Sequence, residues 1–63
     1  MYRIRELREE KQLTQKELAI AANISRPYLH DLEYNRRGAR PDTLLRIAVA
    51  LGVPVDELTS KAG

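Results

Sequence analysis

Apolar residues recur along this chain at intervals of three and four. Ile4 and Leu7 share one helical face with Arg8. Leu29 and Leu32 form a second stripe, Leu44, Ile47, Ala48 and Leu51 a third, and Val55 and Leu58 a short fourth. The residues between the stripes carry start and stop signals. Leu13 leads into Thr14, an N-cap, and Glu17 three positions later completes a capping box. Leu13 and Leu18 stand at the spacing of a hydrophobic staple. This predicts a helix over Gln15–Ala22, with Ala19 and Ala22 small enough for a close crossing. Ser25 caps the next helix, and Pro27 falls in its first turn, where a missing N–H does no harm. Asn23 and Asn35 are residues that tolerate left-handed backbone better than most. Pro41 opens a fourth helix, although Arg40 before it offers no cap oxygen. Gly52 closes that helix and Pro54 opens a last short one. A first helix is predicted over about residues 2–11, Ile24 plugs the core beneath the turn, and no segment reads as a strand. The expected fold is all-α, a compact five-helix domain, with residues 61–63 as a loose tail.

Length and composition narrow the possibilities. Sixty-three residues make a single domain, spanning 1–63. A chain of this size buries only about 60% of its unfolded surface, so the core must be compact. With no cysteine and one histidine, neither a disulfide nor a structural zinc site is expected. That composition fits a reducing, cytoplasmic setting. The longest apolar runs are only a few residues, too short for a membrane span, and the charged start is unlike a signal peptide. No nucleophile–base pair and no phosphate-binding glycine loop occurs, so we expect no catalytic residues, no cofactor and no metal. Glu6, Glu9 and Glu10 read as the solvated face of the first helix. The net charge is only +2, but its distribution is informative. Four arginines, Arg26, Arg36, Arg37 and Arg40, face Asp31 and Glu33 within residues 26–40. Phosphate contacts need positive charge of this kind clustered on one part of a surface.

Residues 14–33 therefore read as two short helices joined by a tight turn, a unit that sets its second helix into the major groove of DNA. The segment resembles the Xre family of helix-turn-helix regulators, the lambda-repressor-like fold. Ile4–Lys11 matches the family's first helix, Thr43–Val53 its fourth and Val55–Leu58 its fifth, in the family's order and spacing. The resemblance implies a small transcriptional regulator that binds a palindromic operator in double-stranded DNA as a homodimer. An antitoxin or another protein-interaction module uses the same fold, and a protein partner is then expected. The four arginines beside a capped recognition helix favour DNA.

The recognition helix, about residues 25–34, supplies the candidate base contacts. Arg26, at its N-terminal end, either binds guanine in bidentate fashion or clamps a phosphate. Pro27 offers carbon to a thymine methyl or simply starts the helix. Tyr28 reaches a base or phosphate, or packs on its neighbours. Asp31 accepts from cytosine, repels wrong sites, or pairs with Arg26 in the free protein. His30 reads as a surface or groove-edge residue, and Ile20 as an exposed apolar residue or part of a contact patch. Gln15 begins a helix whose free N–H groups favour an anion, and the resemblance implies that its amide binds a phosphate. Lys16, Ser25, Asn35, Arg36, Arg37 and Arg40 are further phosphate candidates that position without reading sequence. The resemblance also implies a partly buried ion pair between Arg8 and Glu33, and a dimer interface near Val53, Val55 and Leu58.

Overall fold

The computed structural model describes residues 2–59, so the tail expected at 61–63 lies outside it. Five helices follow one another among the described residues: α1 Ile4–Glu10, α2 Gln15–Ala22, α3 Arg26–Glu33, α4 Pro41–Leu51 and α5 Val55–Thr59. Helix α2 is the hub, packed most extensively on α4 and α3, while α5 lies on α4 and α1 touches α3 and α4. Ile4, Leu18, Leu29, Leu32, Ile47 and Leu58 fill the centre and are fully sealed from solvent. Ala19 and Ala22 are buried where α2 meets its neighbours, the place where a larger side chain would hold the helices apart.

The local signals act as the sequence implies. The Thr14 hydroxyl accepts from the Glu17 N–H at 3.0 Å, and the Glu17 carboxylate accepts from the Thr14 N–H at 2.8 Å, which satisfies two of the orphan donors at a helix start. The Ser25 hydroxyl accepts from the Tyr28 N–H at 3.2 Å and starts α3. Helix α4 begins at Arg40 without a side-chain cap, on Pro41.

The first four helices end in one and the same way. Gln12, Asn23, Asn35 and Gly52 all adopt positive φ. In each case the N–H of the following residue reaches back to a carbonyl five positions earlier: Leu13 to Arg8, Ile24 to Ala19, Arg36 to Asp31 and Val53 to Ala48. These are Schellman motifs, in which the residue after the left-handed one commonly makes an apolar contact with the helix. Leu13, Ile24 and Val53 do so and pack on the core. Arg36 is the exception, for it stands exposed and opens the basic loop.

Four expectations need correction. Helix α1 starts later than residue 2, because the Arg3 N–H donates to the Leu58 carbonyl at 2.8 Å and docks the chain start on α5. It also ends at Glu10, one residue before Lys11, since Gln12 turns left-handed. In α4, Leu44 is only half-buried and Thr43 takes the inward position. The face centred on Ile47 and Leu51 extends by a four-residue step to position 43 and leaves 44 at its edge. Leu58 is fully buried inside its own core, so it lines no outer surface from which to meet a second copy. Val53 and Val55 are half-buried and pack on the core from its rim.

Tyr2 is outside the helix and takes on another task. Its hydroxyl accepts from the Ala39 N–H at 3.0 Å, fastening the loop between α3 and α4 to the chain start. Replacing Tyr2 by phenylalanine removes the acceptor and leaves a partly buried N–H unpaired. The expected loss is about 1 kcal/mol in a urea melt, and an unchanged midpoint refutes the role.

Candidate nucleic-acid interface

Helix α3 turns Leu29 and Leu32 into the core and leaves its other faces outward. Arg26 and Pro27 are exposed at its first turn, and Tyr28, His30 and Asp31 are half-buried along its outer side. Gln15, Arg26, Pro27, His30 and Asp31 line one shallow groove of about 370 Å³. The fold thus brings the start of α2 beside the start of α3, so the candidate phosphate and base contacts share one surface. Lys16 and Ser25 are exposed near them, and Asn35, Arg36, Arg37 and Arg40 are exposed on the loop that follows α3.

Beneath this surface lies an ionic anchor. The Arg8 Nε donates to Glu33 Oε2 at 2.6 Å and its Nη2 donates to Oε1 at 3.1 Å. Arg8 Nη1 donates to the Leu13 carbonyl at 2.7 Å. The Glu33 side chain is wholly buried and that of Arg8 is 12% exposed. The bond to Glu33 raises the Arg8 guanidinium above its ordinary value, holding its proton still more firmly. Glu33 Oε1 also accepts from Gln15 Nε2 at 3.0 Å. One carboxylate therefore joins α1, the start of α2 and the end of α3. Burial of such a charge is tolerable only when its oxygens are satisfied. Among the described residues no buried side-chain nitrogen or oxygen lacks a partner.

That third bond was not expected. The Gln15 amide is engaged by Glu33, and its second N–H makes no bond among the described residues. The amide is fixed in direction at a helix N-terminus, where the dipole and unpaired N–H groups already favour an anion. A side chain held in place loses less rotamer freedom on contact.

The loop residues are not simply splayed into solvent. The guanidinium of Arg37 lies 5.6 Å from the centroid of the Tyr28 ring, within cation–π range. Its Nε is 3.7 Å from Asp31 Oδ2. Asp31 is thus paired with Arg37, not with Arg26. His30 and Tyr34 stack at 4.5 Å with a 40° tilt, and the Arg5 guanidinium sits 5.6 Å from the Tyr34 ring. Sequence reading gave Tyr34 and Arg5 no part here. The spacing of four between His30 and Tyr34 was the available signal, whereas the contact with Arg5 crosses from α1 and leaves no local trace. Ile20 is 70% exposed on the outer face of α2, with Leu45 and Val49 exposed on α4.

Comparison with known proteins agrees with the fold. The sequence model of the family described as Helix-turn-helix matches residues 4–58. The chain is 42% identical over 59 residues to the immunity repressor protein of Bacillus phage phi105, covering 94% of this chain and 41% of that protein. It is 46% identical over 56 residues to the HTH-type transcriptional regulator DdrOP3 of Deinococcus deserti, covering 89% of this chain and 43% of that one. It therefore spans less than half the length of these curated relatives. Among solved structures, the restriction-modification controller protein C.AhdI from Aeromonas hydrophila superposes with a TM-score of 0.85 at 34% identity, over 87% of this chain and 83% of that chain.

Proposed function

This chain belongs to the Helix-turn-helix family, and from that premise we propose that it binds double-stranded DNA in a sequence-dependent way as the DNA-reading domain of a transcriptional regulator. One observation carries the reading: Arg26, Pro27, His30 and Asp31 of α3 share a single open groove with Gln15 at the start of α2. In this reading Arg26 meets base edges at the tip of the helix, Pro27 lies against a thymine methyl, and Tyr28 and Asp31 reach the neighbouring positions. Gln15, Lys16, Ser25, Asn35, Arg36, Arg37 and Arg40 hold phosphates on either side and set the register. The domain, taken as residues 1–63, acts without cofactor or metal.

Two copies bind one palindromic site, because a single short helix makes too few contacts for tight binding. Their recognition helices then stand about 34 Å apart, one turn of DNA. Val53 and Val55 lie beside the contact between copies and Leu58 supports them from within. Sedimentation showing a monomer both free and on a palindromic duplex refutes the pairing.

Selection from a random duplex pool, followed by binding at graded salt, tests the whole reading. The expected result is an enriched symmetric sequence whose affinity falls by about a thousandfold between about 50 and 200 mM salt. Failure to enrich any duplex, or affinity indifferent to salt, overturns it.

A further inference from the structure

We propose that Arg37 and Asp31 act as one unit, in which Arg37 is the internal counter-ion that lets an acid stand on a face built for DNA. The inference rests on the DNA-binding reading above and deepens it by naming a residue that positions another.

The geometry begins with the end of α3. Asn35 is left-handed at φ 59°, and the Arg36 N–H donates to the Asp31 carbonyl at 2.8 Å while the Asn35 N–H donates to that of Leu32 at 3.3 Å. This closure folds the chain back along the helix that it has just left. Arg37 consequently lies over Tyr28 at 5.6 Å and beside Asp31 at 3.7 Å. Arg36, one residue earlier, has no side-chain partner among the described residues. Two adjacent arginines thus differ in kind, one projecting into solvent and one folded onto the recognition helix.

Charge explains why the fold would hold Arg37 there. Asp31 lines the same groove as Arg26 and Gln15, and an uncompensated carboxylate at that place repels every phosphate near it. Arg37 cancels that repulsion. At 3.7 Å, with the Arg37 side chain 60% exposed, the pair is longer than a charge-assisted hydrogen bond and worth little in the free protein. It can therefore be exchanged at small cost. When a base donor such as the cytosine amine takes the Asp31 carboxylate, Arg37 is released to a neighbouring phosphate. Where no such donor is present, Arg37 must stay, and one phosphate contact is forgone. Asp31 and Arg37 together make the wrong base costly.

A double-mutant cycle decides the matter, measured as affinity for a random-sequence duplex pool of about two helical turns and for the duplex selected from it. Arg37→Ala in the parent is expected to lower affinity for the pool about tenfold, and only about threefold when Asp31 is already asparagine. Arg36→Ala serves as the reference and is expected to lose the same factor in both backgrounds. Asp31→Asn alone is expected to tighten binding to the pool and to narrow the gap between pool and selected duplex. Equal losses for Arg37→Ala in the two backgrounds, with the parent binding DNA normally, overturn the coupling and leave the DNA-binding reading standing. A parent that binds no duplex at low salt overturns the DNA-binding reading itself.

Discussion

Replacing Arg8 by alanine is expected to remove a large share of this protein's stability. The substitution leaves the wholly buried Glu33 carboxylate with one neutral donor, the Gln15 amide, in place of three hydrogen bonds, two of them from a cation. Removing one partner of a buried pair costs about 3–5 kcal/mol, because the remaining charge has neither water nor counter-ion. A chain of 63 residues has a total stability of only about 3–9 kcal/mol. Each kcal/mol moves the melting temperature of a domain this small by about 4–8 °C. The expected fall is therefore well over 10 °C, read by thermal or urea melts. Glu33→Gln is the gentler probe. It retains the shape and an acceptor but loses the charge, so it should sit between the parent and Arg8→Ala. If Glu33→Gln melts with the parent, the ionic anchor is not what holds the three helices.

The paired replacement Arg8→Met with Glu33→Leu separates stability from positioning. Apolar residues of similar volume can replace a buried ion pair without loss, so the double variant should fold. It also removes the acceptor that holds Gln15, and with it the fixed amide at the start of α2. Weakened DNA binding in a folded double variant is the expected outcome. The anchor then serves the surface above it as well as the core beneath.

What sequence could and could not foretell follows from range. The caps at Thr14 and Ser25, the left-handed asparagines at 23 and 35, and the glycine at 52 are local instructions, carried by residues within one turn of where they act. They were legible for that reason. Gln12 was not, because glutamine has no preference for the conformation it adopts; the closing bond from Leu13 to Arg8 imposes it. The fastening of Ala39 by Tyr2 links positions 37 apart and has no periodic signature. The same holds for Asp31. Proximity in sequence offered Arg26 as its partner, but the closure of α3 delivers Arg37. Leu58 shows the opposite error, an apolar residue near the end of the described chain read as available for a partner when its own core encloses it. Contacts made at the ends of helices were legible in the sequence, and contacts that a loop decides were not.

Arg26→Ala is expected to have the largest effect on recognition while leaving the fold intact. Arg26 is exposed, and no ion pair or hydrogen bond of its side chain occurs among the described residues, so its removal disturbs no internal contact. If it binds guanine in two-point fashion, each copy loses about 1–3 kcal/mol of discrimination. A pair of copies on one palindrome loses twice that, which is about thirtyfold to about twenty-thousandfold in affinity for the selected duplex. Affinity for random duplex should drop far less, since only one cation per copy is withdrawn from the phosphate field. Arg40→Ala supplies the contrast, with a comparable modest drop on both duplexes and a salt slope shallower by about 1 per copy. The ratio of the two affinities, measured at one salt concentration, distinguishes a base reader from a phosphate clamp. If Arg26→Ala weakens selected and random duplexes by the same factor, Arg26 holds the backbone, and reading falls to Tyr28 and Asp31 further along α3.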